Sequence, residues 1–94
     1  MNLQFTWDVN KANSNIRKHR VSFEEASTVF FDPLACIFND EDHSQIEKRE
    51  IIIGYSELDH LLIISFSELE EDHIRIISAR RATKKEQKNH EENR

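Results

Sequence analysis

The charged stretch EDHSQIEKRE, residues 41–50, contains side chains that could perform acid–base chemistry. The imidazole of His43 titrates near neutral pH and could act as a general base or a general acid. If a strand begins at Glu47, its alternation places Glu47, Arg49 and Ile51 on one face, with a carboxylate beside a guanidinium. Glu47 and Arg49 could instead form an ordinary structural ion pair, with His43 capping a loop.

Arginines near the C-terminal end could bind phosphate. Arg75 and Arg80 can each make two parallel hydrogen bonds to a phosphate group, a geometry that lysine cannot copy. Several basic residues also stand at the predicted start of the last helix, where the helix dipole favours acids. This position favours binding of an anion or a partner by Arg80, Arg81, Lys84 and Lys85.

The first predicted helix carries three further basic or titratable residues, Lys11, Lys18 and His19. The simpler interpretation is a solvated helix face. The functional alternative is that these side chains contact phosphate or a partner protein.

The run DEDH at residues 40–43 contains oxygen and nitrogen donors that could suggest a metal site. Consecutive residues rarely point at one ion, and the other histidines lack the spacing of metal ligands. We therefore expect no metal and no other cofactor. The single cysteine, Cys36, excludes a disulfide within the chain.

Charge is distributed unevenly along the 94 residues, whose net charge is −5. Residues 1–21 carry four basic side chains and one acid, and residues 75–94 carry seven basic side chains and three acids. Residues 22–74 carry fourteen acids and two basic side chains. We expect the two basic ends to meet and form a positive surface on an acidic protein, which argues against indiscriminate binding of nucleic acid.

These residues are predicted to lie in one α+β domain spanning residues 1–94, in the order β-α-α-β-β-β-β-α. The first strand, LQFTW, alternates apolar and polar residues. Four later strands, ACIF, EIIIGYS, LLIISFS and HIRIIS, are separated by short loops, which favours antiparallel hairpins. We expect helices to pack on this mostly antiparallel sheet.

Three helices are predicted from their starts and apolar positions. The first follows Asp8, and Ala12, Ile16 and His19 recur along it at i, i+4 and i+7. The second begins with the capping box of Ser22 and Glu25, has Phe23, Ala26, Val29 and Phe30 on one face, and ends before Pro33. The third begins with the capping box of Thr83 and Glu86. Its body, KKEQKNHEENR, has almost no apolar face, so about six C-terminal residues are expected to fray.

Three segments in fixed order resemble a known family. They are FTWDVNKANSNIRKHRVSFEEASTVFFDP, DEDHSQIEKREIIIGYS and IRIISARRATKKEQ, and the resemblance runs from Phe5 to about Lys88. Together they resemble the BrnT toxins of bacterial type II toxin–antitoxin pairs. The resemblance implies a RelE-like fold, ribonuclease activity that inhibits translation, and a small antitoxin that binds operator DNA. It also implies an assembly of two toxins with two antitoxins, and no membrane partner.

Two positions depart from the family pattern. Arg20 stands where family members usually have glycine after Lys-His, a position that suits the left-handed backbone. Leu69 stands where the resemblance leads us to expect arginine. We expect the missing guanidinium at position 69 to weaken catalysis without changing the fold.

Metal-independent cleavage of RNA requires a base for the 2′-hydroxyl, a cation for the phosphorane charge and an acid for the leaving oxygen. The resemblance therefore suggests a catalytic set of His43, Glu47, Arg49, Arg75 and Arg80. The leading hypothesis is a toxin ribonuclease held inactive by its antitoxin. The alternative is a catalytically weak toxin fold that assembles with a DNA-binding antitoxin into an autorepressor. A cytoplasmic location is expected, because no apolar run approaches 18 residues and no signal peptide is evident.

Overall fold

The computed structural model describes residues 2–43 and 47–93, apart from the side chain of His43. The strands are β1 (Gln4–Thr6), β2 (Cys36–Asn39), β3 (Glu50–Tyr55), β4 (Leu61–Glu70) and β5 (His73–Arg81). The helices are α1 (Val9–His19), α2 (Phe23–Thr28) and α3 (Lys84–Glu92), with short 3₁₀ turns at Val29–Phe31 and Glu41–His43. The predicted α+β class and the predicted order of elements are confirmed.

The five strands form one mixed sheet in the order β1-β5-β4-β3-β2. β2, β3, β4 and β5 pair as antiparallel neighbours, as their short connections favour. β1 pairs in parallel with β5, and Gln4 lies opposite His73. The chain between β1 and β5 contains the other strands and two helices, which supplies the long connection that a parallel pair needs.

One face of the sheet is covered by α2 and the 3₁₀ turn that follows it. The predicted apolar face of α2 is confirmed, because Phe23, Ala26 and Val29 are fully buried. Phe30 packs edge-on against Phe66 of β4, with ring centroids 4.9 Å apart. Burial of such side chains is the main favourable contribution to folding, so this face holds the core of the domain.

Gly54 is the single glycine of the sequence and lies where the chain after α2 crosses β3 closely. A Cβ atom at position 54 would lie 2.8 Å from the Cβ of Ala35 and 3.0 Å from Cγ1 of Val29. Beside it, the carboxylate of Asp32 accepts a hydrogen bond of 2.8 Å from the backbone N–H of Tyr55. Glycine therefore allows residues 29–35 to pack directly on the strand.

The spacing of Ala12, Ile16 and His19 does not mark the buried face of α1. Ala12 is buried, but Ile16 is 44% exposed and His19 is exposed, while the polar Asn15 is only 6% exposed. The reason is that α1 lies along the edge of β5 beyond the short β1. The side-chain amide of Asn15 donates to the C=O of Ala79 (2.8 Å) and accepts from the N–H of Ala79 (3.0 Å), as a neighbouring strand would. A buried amide that satisfies an otherwise open strand edge is favourable.

β3 begins at Glu50, where the predicted strand EIIIGYS begins, so the condition under which Glu47 and Arg49 would share a strand face is not met. Glu47 lies in a bend before the strand. The hydroxyl of Ser67 donates to the C=O of Lys48 (2.8 Å), and the N–H of Asp40 donates to the C=O of Arg49 (2.9 Å). These contacts hold residues 47–49 against the sheet, but strand alternation does not decide where Glu47 points.

Candidate active site

The face of the sheet opposite the core carries two rows of neighbouring side chains across β3, β4 and β5. Strand register gives the first row as Ile51, Ser65 and Ser78, and the second row as Ile53, Ile63 and Arg80. We call this surface the second face. Because residues opposite each other in antiparallel strands point to the same side, the hydroxyls and the guanidinium lie beside an apolar strip.

A cleft of about 190 Å³ opens on the second face. We call it the His19 cleft. His19, from the end of α1, and Arg80, from β5, both line it. Its complete lining is His19, Ile51, Ile63, Ser65, Ser78, Ala79 and Arg80.

A second groove of about 200 Å³ adjoins the His19 cleft, with which it shares His19 and Ser78. Its other lining residues include the two lysines of α1, Lys11 and Lys18. Lys11, Lys18 and His19 are all exposed, so they could meet a ligand without a change in burial. The prediction that the two basic ends of the chain meet therefore holds for His19 and Arg80.

The position of His19 follows from how α1 is fixed. Asn15 lies one helical turn before His19, and its amide also donates to the C=O of Val21 at 2.8 Å. Asp8 caps the start of the helix by accepting from the N–H of Lys11 at 3.0 Å. Arg20 ends the helix in the left-handed conformation (φ 59°, ψ 30°), as predicted for this position. These contacts fix both ends of α1 and its position on β5, and so they fix where His19 lies.

The guanidinium of Arg80 is held by the carboxylate of Glu86 from α3. Nη1 and Nη2 donate to the two oxygens of Glu86 at 2.8 and 2.9 Å. The hydrogen bond from Arg80, assisted by one from the backbone of Thr83, lowers the pKa of Glu86 from 4.5 to about 2. The same hydrogen bond raises the pKa of Arg80. The pair is therefore ionised at physiological pH.

Three of the predicted catalytic residues lie at the opposite end of β5 from Arg80. Glu47 approaches Arg75 with 3.7 Å between Oε1 and Nη1, an ionic contact longer than a hydrogen bond. Arg49 is half-buried in the segment that Ser67 and Asp40 hold against the sheet. Arg75 and Arg80 are five residue steps apart along the strand, which is roughly 16 Å. The predicted catalytic set is thus divided into two groups, and the side chain of His43 lies outside the described residues.

The other residues singled out from the sequence lie outside both of these groups. Arg81 lines a separate cleft with Tyr55, His60 and Gln87, although it follows Arg80 directly. Lys84 and Lys85 are exposed in the first turn of α3. Leu69 is 47% exposed near the far end of β4, where the β4–β5 register is irregular.

The sequence did not reveal two features, the serines of the His19 cleft and the contact of Glu86 with Arg80. Ser65 and Ser78 line the cleft, but their positions follow from strand register and not from a local motif. Glu86 was recognised only as part of a capping box, which the structure confirms, whereas its contact with Arg80 was not predicted. Its spacing of six residues from Arg80, across the turn into α3, was the available signal.

Neither a metal-ligand group nor a membrane-spanning helix is found in the described residues. Residues 2–43 and 47–93 contain no cluster of three His, Cys, Asp or Glu side chains suited to hold an ion. None of their helices combines the length and the apolar character needed to cross a bilayer.

Comparison with known proteins identifies the family. Residues 7–86 match the family described as the ribonuclease toxin BrnT of type II toxin–antitoxin systems. The fold is similar to that of the Brucella abortus ribonuclease toxin BrnT, with a TM-score of 0.68 and 21% sequence identity over 88% of this chain and 100% of that chain. No curated protein sequence matches the chain. Because the family match covers most of the sequence, and the fold agrees with it, the chain belongs to the BrnT family of ribonuclease toxins.

Proposed function

We propose that the chain is an endoribonuclease that inhibits translation and that the His19 cleft is its active site. The observation that carries this proposal is that a histidine and an arginine line one cleft on the second face, together with two serines. Family membership supports the activity. The basic groove next to the cleft supports a polyanionic substrate, because Lys11 and Lys18 line it.

The reaction that this arrangement suits is attack by a ribose 2′-hydroxyl on the adjacent phosphate. His19 accepts the 2′-hydroxyl proton while the bond from O2′ to phosphorus forms. Arg80 stabilises the negative charge that develops on the phosphorane oxygens. The bond from phosphorus to O5′ then breaks, and the leaving oxygen takes a proton from water. This chemistry needs RNA, because DNA lacks the 2′-hydroxyl, and it requires no metal ion.

Glu47, Arg49 and Arg75 are assigned a different role from the one that the sequence suggested. They lie roughly 16 Å further along the sheet than Arg80, which favours contact with a different phosphate. We propose that Arg49 and Arg75 bind the RNA backbone beyond the cleaved bond, with Glu47 holding Arg75. The basic residues Arg81, Lys84 and Lys85 then remain candidates for contact with the antitoxin.

The proposed partner is a cognate antitoxin in an assembly of two toxins with two antitoxins. The family is defined by type II toxin–antitoxin systems, which supports an antitoxin partner. An acidic segment of the antitoxin could cover the lysines of α1 and the His19 cleft, and would then compete directly with RNA. Operator DNA would be contacted through the antitoxin, because this chain carries a net charge of −5. The complex would act in the cytoplasm.

A second candidate is a catalytically weak toxin fold that serves to assemble the antitoxin into a repressor. Leu69 favours it, since this exposed side chain stands where the family resemblance leads us to expect arginine. The two candidates differ in what the chain does when it is produced without its antitoxin. A ribonuclease arrests growth and degrades RNA, whereas a binding module leaves both unchanged.

The cellular test compares the parent with His19→Gln, with His73→Gln as the matched control. His73 lies at the other end of β5, where its ring contacts the hydroxyl of Thr6 at 3.1 Å, a contact that glutamine can retain. We expect growth arrest and RNA decay with the parent and the control, and their loss with His19→Gln. Arrest by all three proteins would exclude His19, and normal growth with the parent would favour the binding module.

A further inference from the structure

The position of Arg80 depends on a residue outside the cleft. We infer that Glu86 is a positioning residue for catalysis, because it holds the guanidinium of Arg80 in the orientation that a scissile phosphate requires. The inference rests on the proposed function of the His19 cleft. It assigns α3 a role in the reaction, although no residue of α3 lines that cleft.

The contact between Arg80 and Glu86 leaves part of the guanidinium available. Nη1 donates to one carboxylate oxygen of Glu86 and, at 3.4 Å, to the C=O of Arg81, while Nη2 donates to the other carboxylate oxygen. A guanidinium has five N–H donors. These hydrogen bonds use three of the five N–H groups of Arg80. They do not use the Nε–H and one Nη2–H, which lie together on the side edge of the guanidinium. Arg80 can therefore be held by Glu86 at its end and still donate to a phosphate from its side.

Glu86 is itself fixed, which makes it suitable as a support. Its Oε1 accepts from the backbone N–H of Thr83 at 2.8 Å, and its own N–H donates to the hydroxyl of Thr83 at 3.1 Å. The other end of α3 is anchored on β3, where the hydroxyl of Tyr55 donates to Glu91 at 2.9 Å. The ring of Tyr55 also lies 6.2 Å from that of the buried His90. The carboxylate thus belongs to a helix that is held at both ends.

The physical advantage is pre-organisation. An unsupported arginine samples many rotamers and must lose that freedom when the phosphorane forms. An arginine that is already held contributes its hydrogen bonds without this loss, so the benefit appears in the rate of the chemical step. A carboxylate that only reduced the local positive charge and competed with phosphate for Arg80 would instead slow the chemical step. These two effects predict changes of opposite sign when Glu86 is removed.

The test uses purified full-length protein and one single-stranded RNA, with kcat and KM measured separately. Glu86→Ala removes the support, and Glu86→Gln keeps the capping box while one acceptor oxygen remains for Arg80. Thr83→Ala is the matched control, because it weakens the same helix cap but leaves the contact between Glu86 and Arg80 in place. Arg80→Ala and the double variant Arg80→Ala/Glu86→Ala complete a mutant cycle.

We expect Glu86→Ala to lower kcat about tenfold with a smaller change in KM, since misplacement of a catalytic group costs rate. Glu86→Gln should recover part of this loss. Thr83→Ala should lower the unfolding temperature to a similar degree as Glu86→Ala and keep kcat near that of the parent. In the Arg80→Ala background, the change at position 86 should have no further effect on kcat.

The outcomes separate the inference from the function on which it rests. If Arg80→Ala cleaves as fast as the parent, the proposed active site is wrong and the role of Glu86 falls with it. If Arg80→Ala is slow but Glu86→Ala equals or exceeds the parent, the cleft stands and the positioning role is overturned. A loss of kcat in Thr83→Ala as large as that in Glu86→Ala would also overturn it, because the stability of α3 would then explain both.

Discussion

Arg20 adopts a backbone conformation that L-amino acids with a Cβ atom occupy at a cost (φ 59°). The resemblance to the BrnT family predicted this conformation, because it leads us to expect glycine at position 20. We predict that Arg20→Gly stabilises the protein by up to about 1 kcal/mol, since glycine relieves the strain but gains more freedom in the unfolded chain. Urea unfolding measures the difference. Arg17→Gly, in the last turn of the same helix, is the control and should destabilise by about 1 kcal/mol. Loss of stability in both variants would contradict the prediction.

Leu69 is exposed two residues beyond Ser67, which pairs with Arg75 across the β4–β5 ladder. A guanidinium at position 69 would add to the positive charge of Arg49 and Arg75. We predict that Leu69→Arg raises kcat/KM for RNA cleavage about tenfold, mainly by lowering KM, because a charge-assisted contact with the RNA backbone beyond the cleaved bond strengthens binding and leaves the chemical step unchanged. Purified parent and variant should be compared on one RNA, with and without ribosomes. Equal rates would place position 69 outside the site and would remove the main support for a weakened enzyme.

Among the elements, β1 pairs only with the first residues of β5, and α1 lies along the rest of that strand edge. We predict that Asn15→Ala destabilises the protein by roughly 2–4 kcal/mol, because it leaves the N–H and C=O of Ala79 buried without their partner. Asn13→Ala, on the exposed side of the same helix, should cost little. Thermal unfolding distinguishes the two. A small effect at position 15 would show that α1 is held by its apolar contacts and not by this amide.

The contact between α3 and β5 has a defined dependence on pH. The pKa of Glu86 is lowered from 4.5 to about 2, so its contribution to stability is present above pH 4.5 and is lost as the pH falls through about 2. Because the Glu86 side chain is 33% exposed, solvent screening limits the contribution to about 1 kcal/mol.

We predict that the parent exceeds Glu86→Gln in the free energy of unfolding by about this amount near neutral pH, and that the gap closes in acid. Chemical unfolding at several pH values measures the gap. Glu92→Gln, in the exposed last turn of α3, serves as the control and should show no comparable gap. A gap that is unchanged at pH 2 would show that the carboxylate charge is not its source.

The elements themselves were largely predictable, because hydrophobic periodicity and capping boxes are local signals. Local signals did not reveal that Asn15 would be buried and Ile16 exposed, since that depends on α1 lying at a strand edge. They also could not give the full lengths of β4 and β5. The polar ends of these strands, ELE in β4 and ARR in β5, are extended because the two strands pair with each other.

In the whole molecule, the uneven distribution of charge along the sequence predicted that the two basic ends lie close together. The structure agrees for one residue from each end. His19 and Arg80 share a cleft although 61 residues separate them in the sequence. Arg80 and Arg75 were predicted as functional residues, but their separation along β5 could not be judged before the strand was known to include both. The cleft itself is made by register across three strands and by the end of α1, so it follows from the tertiary structure alone.

The central claim is that His19 and Arg80 act together on RNA, and cleavage of one single-stranded RNA by purified variants tests it most directly. We predict that His19→Gln and Arg80→Ala each lose about a hundredfold or more in kcat/KM. Arg81→Ala, which changes the adjacent arginine in a separate cleft, should stay close to the parent. His19→Gln and Arg81→Ala should retain the unfolding temperature of the parent, whereas Arg80→Ala should lower it by roughly 4–8 °C, because it loses the contact with Glu86 worth about 1 kcal/mol. Equal cleavage by Arg80→Ala and Arg81→Ala, or full activity of His19→Gln, would contradict the account.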